Sequence, residues 1–361
     1  MIGMTLKALN RALLARQMLL SREKITALSA VERLVGLQAQ QARPPFAGLW
    51  SRIEGFEREE LLQLLAARQV VRATLMRGTL HLMGAKDYLA FRPALQPVLS
   101  LAMQSVLRDR VKGLGIEAVL SAAREVFKRP STFTELRRVL AKAFPNEDER
   151  AMGYTVRTHL PLVTVPDGTT WGFRADSSFV LAEAWIGKRL SVKQEAEPLV
   201  LRYLEAFGPA TAVDVQAWSG LRAPAILDRL RSRLLVERDE RKRELFDIPK
   251  APRPDEETPA PPRFVAAFDN LVLSHADRSR IVADEYRARI VTKNLQVRPT
   301  FLIDGFVAGT WETKLVKSAA TLAISPFISL EKETKTQLVE EAEKLVRFME
   351  PEAASFEVRF M

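Results

Sequence analysis

One stretch of the chain limits its fold more than any other. Glu195–Phe207 spaces its apolar residues helically and ends at Gly208-Pro209, a pair that stops a helix. Thr211 then stands at an N-cap position with Asp214 three residues on, and a short helix through Ala217-Trp218 stops at Gly220. After a brief turn, Ala223–Leu234 puts Ile226, Leu227, Leu230 and Leu234 on one stripe and leaves Arg229, Arg231 and Arg233 off it. Two strand-like runs, LLVERD and RELFDI, flank a polar turn at Asp239–Lys242. Helix, helix, basic helix and hairpin is the order of a winged helix, whose third helix commonly enters the major groove of a duplex.

The same order occurs upstream. Ile116–Phe127 is helical until Lys128-Arg129-Pro130, and Thr132 with Glu135 forms a capping box that opens a helix running through Ala143. A third helix spans Asp148–His159, and LPLVTVPDGTTWGF reads as a hairpin turning at Asp167-Gly168. The repeat is architectural, not residue by residue. Near the start, helices are expected at Leu6–Leu19, Ala30–Leu37, Phe46–Ile53 and Glu57–Gln69, with extended Val70–Leu75 and Thr79–Met83, compatible with another winged helix carrying additions.

Pro249–Pro262 is proline-rich, acidic and aperiodic, the composition of an extended linker. Beyond it, FVAAFDNLVL and RARIVTKNLQV read as strands and FLIDGFVAGTWE as a hairpin turning at Asp304-Gly305. TLAISPFISL adds a strand, Lys332–Met349 an amphipathic helix with a solvated charged face, and SFEVRFM a closing strand. The expectation is an α+β fold of tandem winged-helix (wHTH) units with a β-rich C-terminal subdomain, divided at 1–112, 113–192, 193–250 and 263–361.

Charge narrows the partners. Lys and Arg number 54 against 44 Asp and Glu, a formal +10 that favours polyanions through counterion release. Charge alone does not separate such a protein from a basic one that binds no polyanion. There is no cysteine, which excludes disulfides, thiolate metal sites and cysteine nucleophiles and agrees with a reducing compartment. No apolar run approaches the roughly 18 residues of a membrane span. The N-terminal MIGMTLKALNRALLARQMLL spreads its charges like an amphipathic helix, not a signal peptide. The chain is expected to be cytoplasmic and nucleoid-associated, a monomer partnered by double-stranded DNA with no membrane.

Most familiar chemistries find no motif. His81, His159 and His275 are far apart, which argues against zinc, and no Walker A loop, strand-linked G-x-G-x-x-G or G-x-S-x-G is present. What remains is Gln38-Ala39-Gln40, between a helix and Pro44-Pro45. Residues i and i+2 share a side only in extended backbone, and Pro44 biases Arg43 away from helix. A helix end or loop here could aim both amides into one pocket, although glutamines at helix ends more often are solvated or cap the backbone. Two amides can hold a water but cannot act as a base at neutral pH. They suffice for catalysis where the leaving group departs easily, as a nucleobase alkylated on a ring nitrogen does.

The chain resembles the AlkZ-like winged-helix DNA glycosylases, which include the YcaQ type. The resemblance is carried in order by RLVGLQAQQARPPFAGLWSRI, ATLMRGTLHLM, FGPATAVDVQAWSGL, FDNLVLSHADRSRIV and VRPTFLIDGFVAGTW. It implies a C-shaped arrangement of winged helices around DNA and a monofunctional glycosylase that removes N7-alkylated purines, in some members from interstrand crosslinks. No metal or organic cofactor is implied. The family's catalytic pair matches Gln38 and Gln40; YcaQ-type members carry an acidic residue at the second position, so this chain is closer to the AlkZ branch. Ala39, between the two, is smaller than the apolar residue expected there.

Candidate DNA contacts are Arg43, Arg77 and His81, the His275, Asp277 and Arg278 of the SHADR stretch, and Arg229 and Arg231 of the basic helix. SHADR should lie in a loop at the end of an apolar strand, lining a pocket, gripping the backbone or forming an internal salt-bridge cluster. For His81 a partly buried position is the better fit, with a surface position for Arg77 beside it. Trp50, Trp171, Trp218 and Trp311 read as core residues. The alternative to an enzyme is a non-catalytic winged-helix DNA-binding regulator, which the same units would permit.

Overall fold

A computed structural model describes residues 3–292 and 294–361; Met1, Ile2 and Lys293 lie outside it. Two five-stranded sheets organise the chain. The first runs, in spatial order, Leu37–Gln38, Leu80–Gly84, Val70–Thr74, Leu162–Thr164 and Phe179–Leu181, with every neighbouring pair antiparallel. Its strands come from two sequence units, joined where Ala73 pairs with Val163 and Arg72 with Thr164. The hairpin of the second unit is therefore wider than LPLVTVPDGTTWGF suggests. Its return strand is Phe179–Leu181, and Asp167 caps a local turn by accepting from the amide of Thr169 at 3.0 Å.

Around this sheet the helical expectations are met closely. Phe133–Ala143 opens with the Thr132/Glu135 capping box and Glu149–His159 with an Asp148 cap. In the next unit, helices Glu197–Phe207, Ala212–Ser219 and Ala223–Leu230 precede the antiparallel pair Leu235–Arg238 and Glu244–Asp247. Thr211 and Asp214 form the second capping box, and Gly220 closes its helix at φ +77°. Toward the N-terminus the helices are Leu6–Arg16, Ala27–Arg33, Pro44–Trp50 and Arg58–Ala66. Leu37 belongs to a strand, not to the end of a helix.

A 23-residue helix, Ala85–Leu107, is absent from the sequence expectations because Pro93 and Pro97 sit inside it. Proline removes a helical hydrogen bond and so reads as a breaker. Here the Leu89 carbonyl freed by Pro93 accepts instead from the Ser191 amide at 2.9 Å. Burial of Tyr88, Phe91, Leu95, Leu99 and Met103 along one side supplies the stabilisation that local propensity lacks.

The second sheet runs Ser355–Phe360, Ala319–Pro326, Phe306–Val316, Thr300–Ile303 and Arg263–Val265, antiparallel except for the first pair. Helix Lys332–Met349 packs on it through Leu338, Ala342, Leu345 and Val346. Its polar face is not wholly solvated: Glu341 is buried and pairs with Arg22 at 2.5 Å. Two strand expectations fail here. FVAAFDNLVL becomes the short strand Arg263–Val265 and a 3-10 turn at Asn270–Val272, while Arg287–Ile290 is a helical turn, with Val291 bridging Val297.

Pro249–Pro262 has no helix or strand, as expected, but it does not hang free. Arg16 reaches the Pro252 carbonyl, Arg11 donates to the Thr258 carbonyl at 2.7 Å, and Lys7 pairs with Glu257 at 2.7 Å. The segment straps the first helix to the C-terminal sheet. The Asp304-Gly305 turn docks on the same helix: Asn10 donates to the Gly305 carbonyl at 2.8 Å, and a Cβ on Gly305 would meet the Asn10 side chain. Among the described residues no helix is long and apolar enough to cross a membrane.

Candidate active site

The Gln38–Gln40 segment is extended. Gln38 pairs with His81 across the first sheet, and the Ala39 amide donates to the Leu80 carbonyl at 2.7 Å, so the ladder continues past the strand. Alternation sends Ala39 into the core, where it is 1% exposed among Leu37, Val70 and Phe173. Arg72, from the strand beyond, clamps the backbone: Nε donates to the Ala39 carbonyl at 2.9 Å and Nη2 to that of Gln40 at 3.3 Å. Its guanidinium lies 4.8 Å from the Phe173 ring, and burial lowers its pKa to about 10, so it stays charged at neutral pH.

Gln38 is nearly buried, and its Oε1 accepts from Arg77 Nη2 at 2.7 Å. Arg77 occupies a left-handed backbone position (φ +57°) in the turn between strands Val70–Thr74 and Leu80–Gly84. Its guanidinium also reaches Asn270 Oδ1 and the Trp218 carbonyl, both at 3.4 Å. Asn270 in turn donates to the Gly36 carbonyl at 3.2 Å, tying the C-terminal half to the entry of the Q-x-Q segment. Next to Asn270, Asp269 makes a two-pronged ion pair with Arg52 at 2.9 Å, both side chains at most 1% exposed.

Gln40 is exposed and lines an open cleft of about 630 Å³ between the first sheet and the second unit. Arg72, Arg137, Arg157 and Arg174 border the cleft, Phe133, Phe173 and Phe179 form its apolar floor, and Asp176 is the carboxylate on its wall. Arg157 lies 5.0 Å from the Phe133 ring. These groups were not expected from the sequence. Their helices and loop are far from Gln40 in the chain, and the pairing of strand Leu162–Thr164 with Val70–Thr74 brings them toward it.

Several expected DNA contacts are corrected. His81 is 0% exposed; Nδ1 lies 3.0 Å from the Thr79 carbonyl and burial lowers its pKa to about 3, so it is a neutral core group out of reach of a duplex. His275 is likewise buried and neutral, with a pKa lowered to about 3 by burial, held between Ser274 Oγ and the Phe207 carbonyl at 3.0 Å each. Asp277 pairs with Arg243 at 2.6 Å, and hydrogen bonds from Ser279 hold its carboxyl far below the usual range despite the opposing cost of burial. SHADR thus follows a 3-10 turn and is largely an internal network, in which Asp214 Oδ1 also accepts from the Ala276 amide at 2.9 Å.

Arg43 keeps helical angles (φ −69°, ψ −44°) despite Pro44, and its guanidinium is held by Glu350 Oε1 at 2.7 Å, the Met349 carbonyl at 2.9 Å and the Trp171 ring. Arg229, on the third-unit helix, pairs with Glu197 at 2.7 Å, and Arg231, in the 3-10 turn that follows it, pairs with Glu244 at 2.6 Å, so these two cations already have counter-ions. Trp218 and Trp311 are core residues, while Trp50 and Trp171 are half-buried at the seam of two apolar clusters.

The family described as DNA glycosylase AlkZ-like matches residues 31–348. A relative, the interstrand DNA cross-link repair glycosylase of Streptomyces sahachiroi, is 26% identical over 357 residues, covering 92% of this chain and 93% of that protein. The solved structure of Streptomyces sahachiroi DNA glycosylase AlkZ superposes with a TM-score of 0.79 over the whole of both chains at 20% identity, a likeness of fold. The matched span holds the Q-x-Q strand, the arginine-lined cleft and the Arg77 and Asn270 contacts, and the chain belongs to the AlkZ-like DNA glycosylase family.

Proposed function

We propose that the protein hydrolyses the N-glycosidic bond of cationic N7-alkylated purines in DNA, including bulky or interstrand-crosslinked ones, as a monofunctional glycosylase without metal or organic cofactor. One observation carries this reading: an amide, Gln38, fixed by Arg77, stands two residues before Gln40, which lines a cleft bordered by arginines and by no histidine. An N7-alkylated purine already bears the positive charge that protonation would otherwise supply. When its glycosidic bond breaks, the electron pair goes to the base, which leaves neutral, and the sugar becomes an oxocarbenium ion. A water then adds at C1′ and loses a proton to solvent.

The protein need only place that water and shield the cationic sugar, which amides do without titrating. Gln38 Oε1 retains a lone pair beyond the one used by Arg77 and accepts from the water. Gln40, on the cleft wall, holds its other side. The open cleft accommodates a substituent larger than methyl, and the crosslink-repair relative supports that breadth. The test is incubation with duplex containing N7-methylguanine, followed by hot alkali. Strand breaks at the lesion are expected; intact strands with demonstrated DNA binding would refute the proposal.

A further inference from the structure

We infer that Arg77 and Arg278 form a seat for one DNA phosphodiester beside the Gln38 amide. The inference takes its ligand from the glycosylase reading but is testable without turnover. Arg77 is largely buried, yet every group its guanidinium reaches is neutral: Gln38 Oε1, the Trp218 carbonyl and Asn270 Oδ1. Among the described residues no carboxylate pairs with it. Arg16 and Arg52, buried elsewhere, each face an aspartate directly, Asp247 and Asp269.

Arg278 compounds the imbalance. It is half-buried, it makes no ion pair among the described residues, and its Nε is buried with no hydrogen-bond partner. Its charge is felt at Arg77: burial first, then repulsion from Arg278, lower the Arg77 pKa to about 10. Both remain cations at neutral pH. Arg72 and Arg92 also bond only to neutral oxygens, but no second guanidinium acts on either. A cation buried among neutral acceptors on a left-handed backbone, with a second, half-buried cation acting on it, is costly unless an anion completes the pair.

A phosphodiester fits this gap in charge and shape, since guanidinium forks match phosphate oxygens. Seated there, it would fix the sugar-phosphate chain next to Gln38 and hence the distance from C1′ to the water. It would also neutralise cations that otherwise oppose the approach of a cationic base. Asn270, which positions Arg77 from the C-terminal side, ties the seat to the segment that carries Arg278.

The experiment is equilibrium binding of a short undamaged duplex between about 50 and 200 mM salt. Arg278→Gln should weaken binding several-fold and reduce the slope of log K against log salt by about 0.9, the loss of one phosphate contact. Arg278→Lys should keep the slope. Arg189→Gln, which removes an exposed cation beside Gln69 and Ala85, should change it far less. An unchanged slope in Arg278→Gln, or an equal loss in Arg189→Gln, would overturn the seat. A second arm leaves the protein unaltered: single neutral methylphosphonates are walked along a duplex with one N7-methylguanine. One linkage beside the lesion should account for most of the lost affinity, and small uniform losses would overturn the seat as well. Normal base release with an unchanged slope removes the seat alone, whereas the expected slope change without base release removes the glycosylase reading alone.

Discussion

Arg77 donates to Gln38 Oε1 across 2.7 Å, and this contact fixes the orientation of the Gln38 amide. Gln38→Ala and Gln40→Ala should each lower single-turnover base release at least about tenfold, about 1.4 kcal/mol of barrier, with little change in DNA affinity. Arg77→Lys keeps the charge but loses the planar fork, so release should slow while duplex binding persists. Wild-type rates in the double glutamine variant would exclude the amides from the reaction.

Lesion scope follows from the same amides. Neither glutamine has a proton to give, so N7-alkylguanine should be released while neutral lesions such as uracil and hypoxanthine persist. Because His81 and His275 both have pKa values lowered to about 3, the rate should show no steep limb near neutrality. Asp176 is the carboxylate that could act in the amides' place. Rapid uracil release that is abolished in Asp176→Asn would transfer the chemistry to it.

Acid stability should reveal the buried His81. Its folded pKa, about 3, lies below the unfolded value of 6.5, so the unfolded chain takes up the proton first. The contribution is complete above pH 6.5 and is lost progressively as pH falls toward about 3. His81→Asn preserves a donor for the Thr79 carbonyl without the titration. Urea unfolding at neutral and mildly acidic pH should show a smaller acid loss in this variant; parallel losses would mean the residue is not buried in the neutral form.

The Arg52–Asp269 pair anchors the neighbour of Asn270. Asp269→Ala strands a buried guanidinium and should cost about 3–5 kcal/mol in denaturant unfolding, whereas Arg52→Met with Asp269→Leu should recover much of it. A single variant as stable as wild type would contradict the burial of the pair.

Duplex affinity should depend more on the cleft than on the third-unit helix. Arg157→Gln should weaken binding several-fold, since Arg157 borders the Gln40 cleft without a carboxylate partner among the described residues. Arg229→Gln should weaken it less, because Glu197 already holds that cation. The opposite ranking, measured at one salt concentration, would put the duplex against the third unit.

What the sequence determined was local. Capping boxes at Thr132/Glu135 and Thr211/Asp214, the stop at Gly220 and the turn at Asp304-Gly305 depend on residues only a few positions apart, so their signals survive in one dimension. The extended form of Gln38–Gln40 does not belong to that class, since it rests on pairing with residues 80–82. The tertiary structure decided everything that joins distant segments. It carried helix Ala85–Leu107 through two prolines by giving the Leu89 carbonyl to Ser191, and it buried His275, which the sequence left free to line a pocket. It also brought Arg137, Arg157 and Arg174 to the cleft beside Gln40, with strand Leu162–Thr164 paired to Val70–Thr74 in a shared sheet. Charge and periodicity report what a residue prefers locally. Whether an arginine meets a carboxylate or waits for a phosphate depends on which distant strand it is paired against.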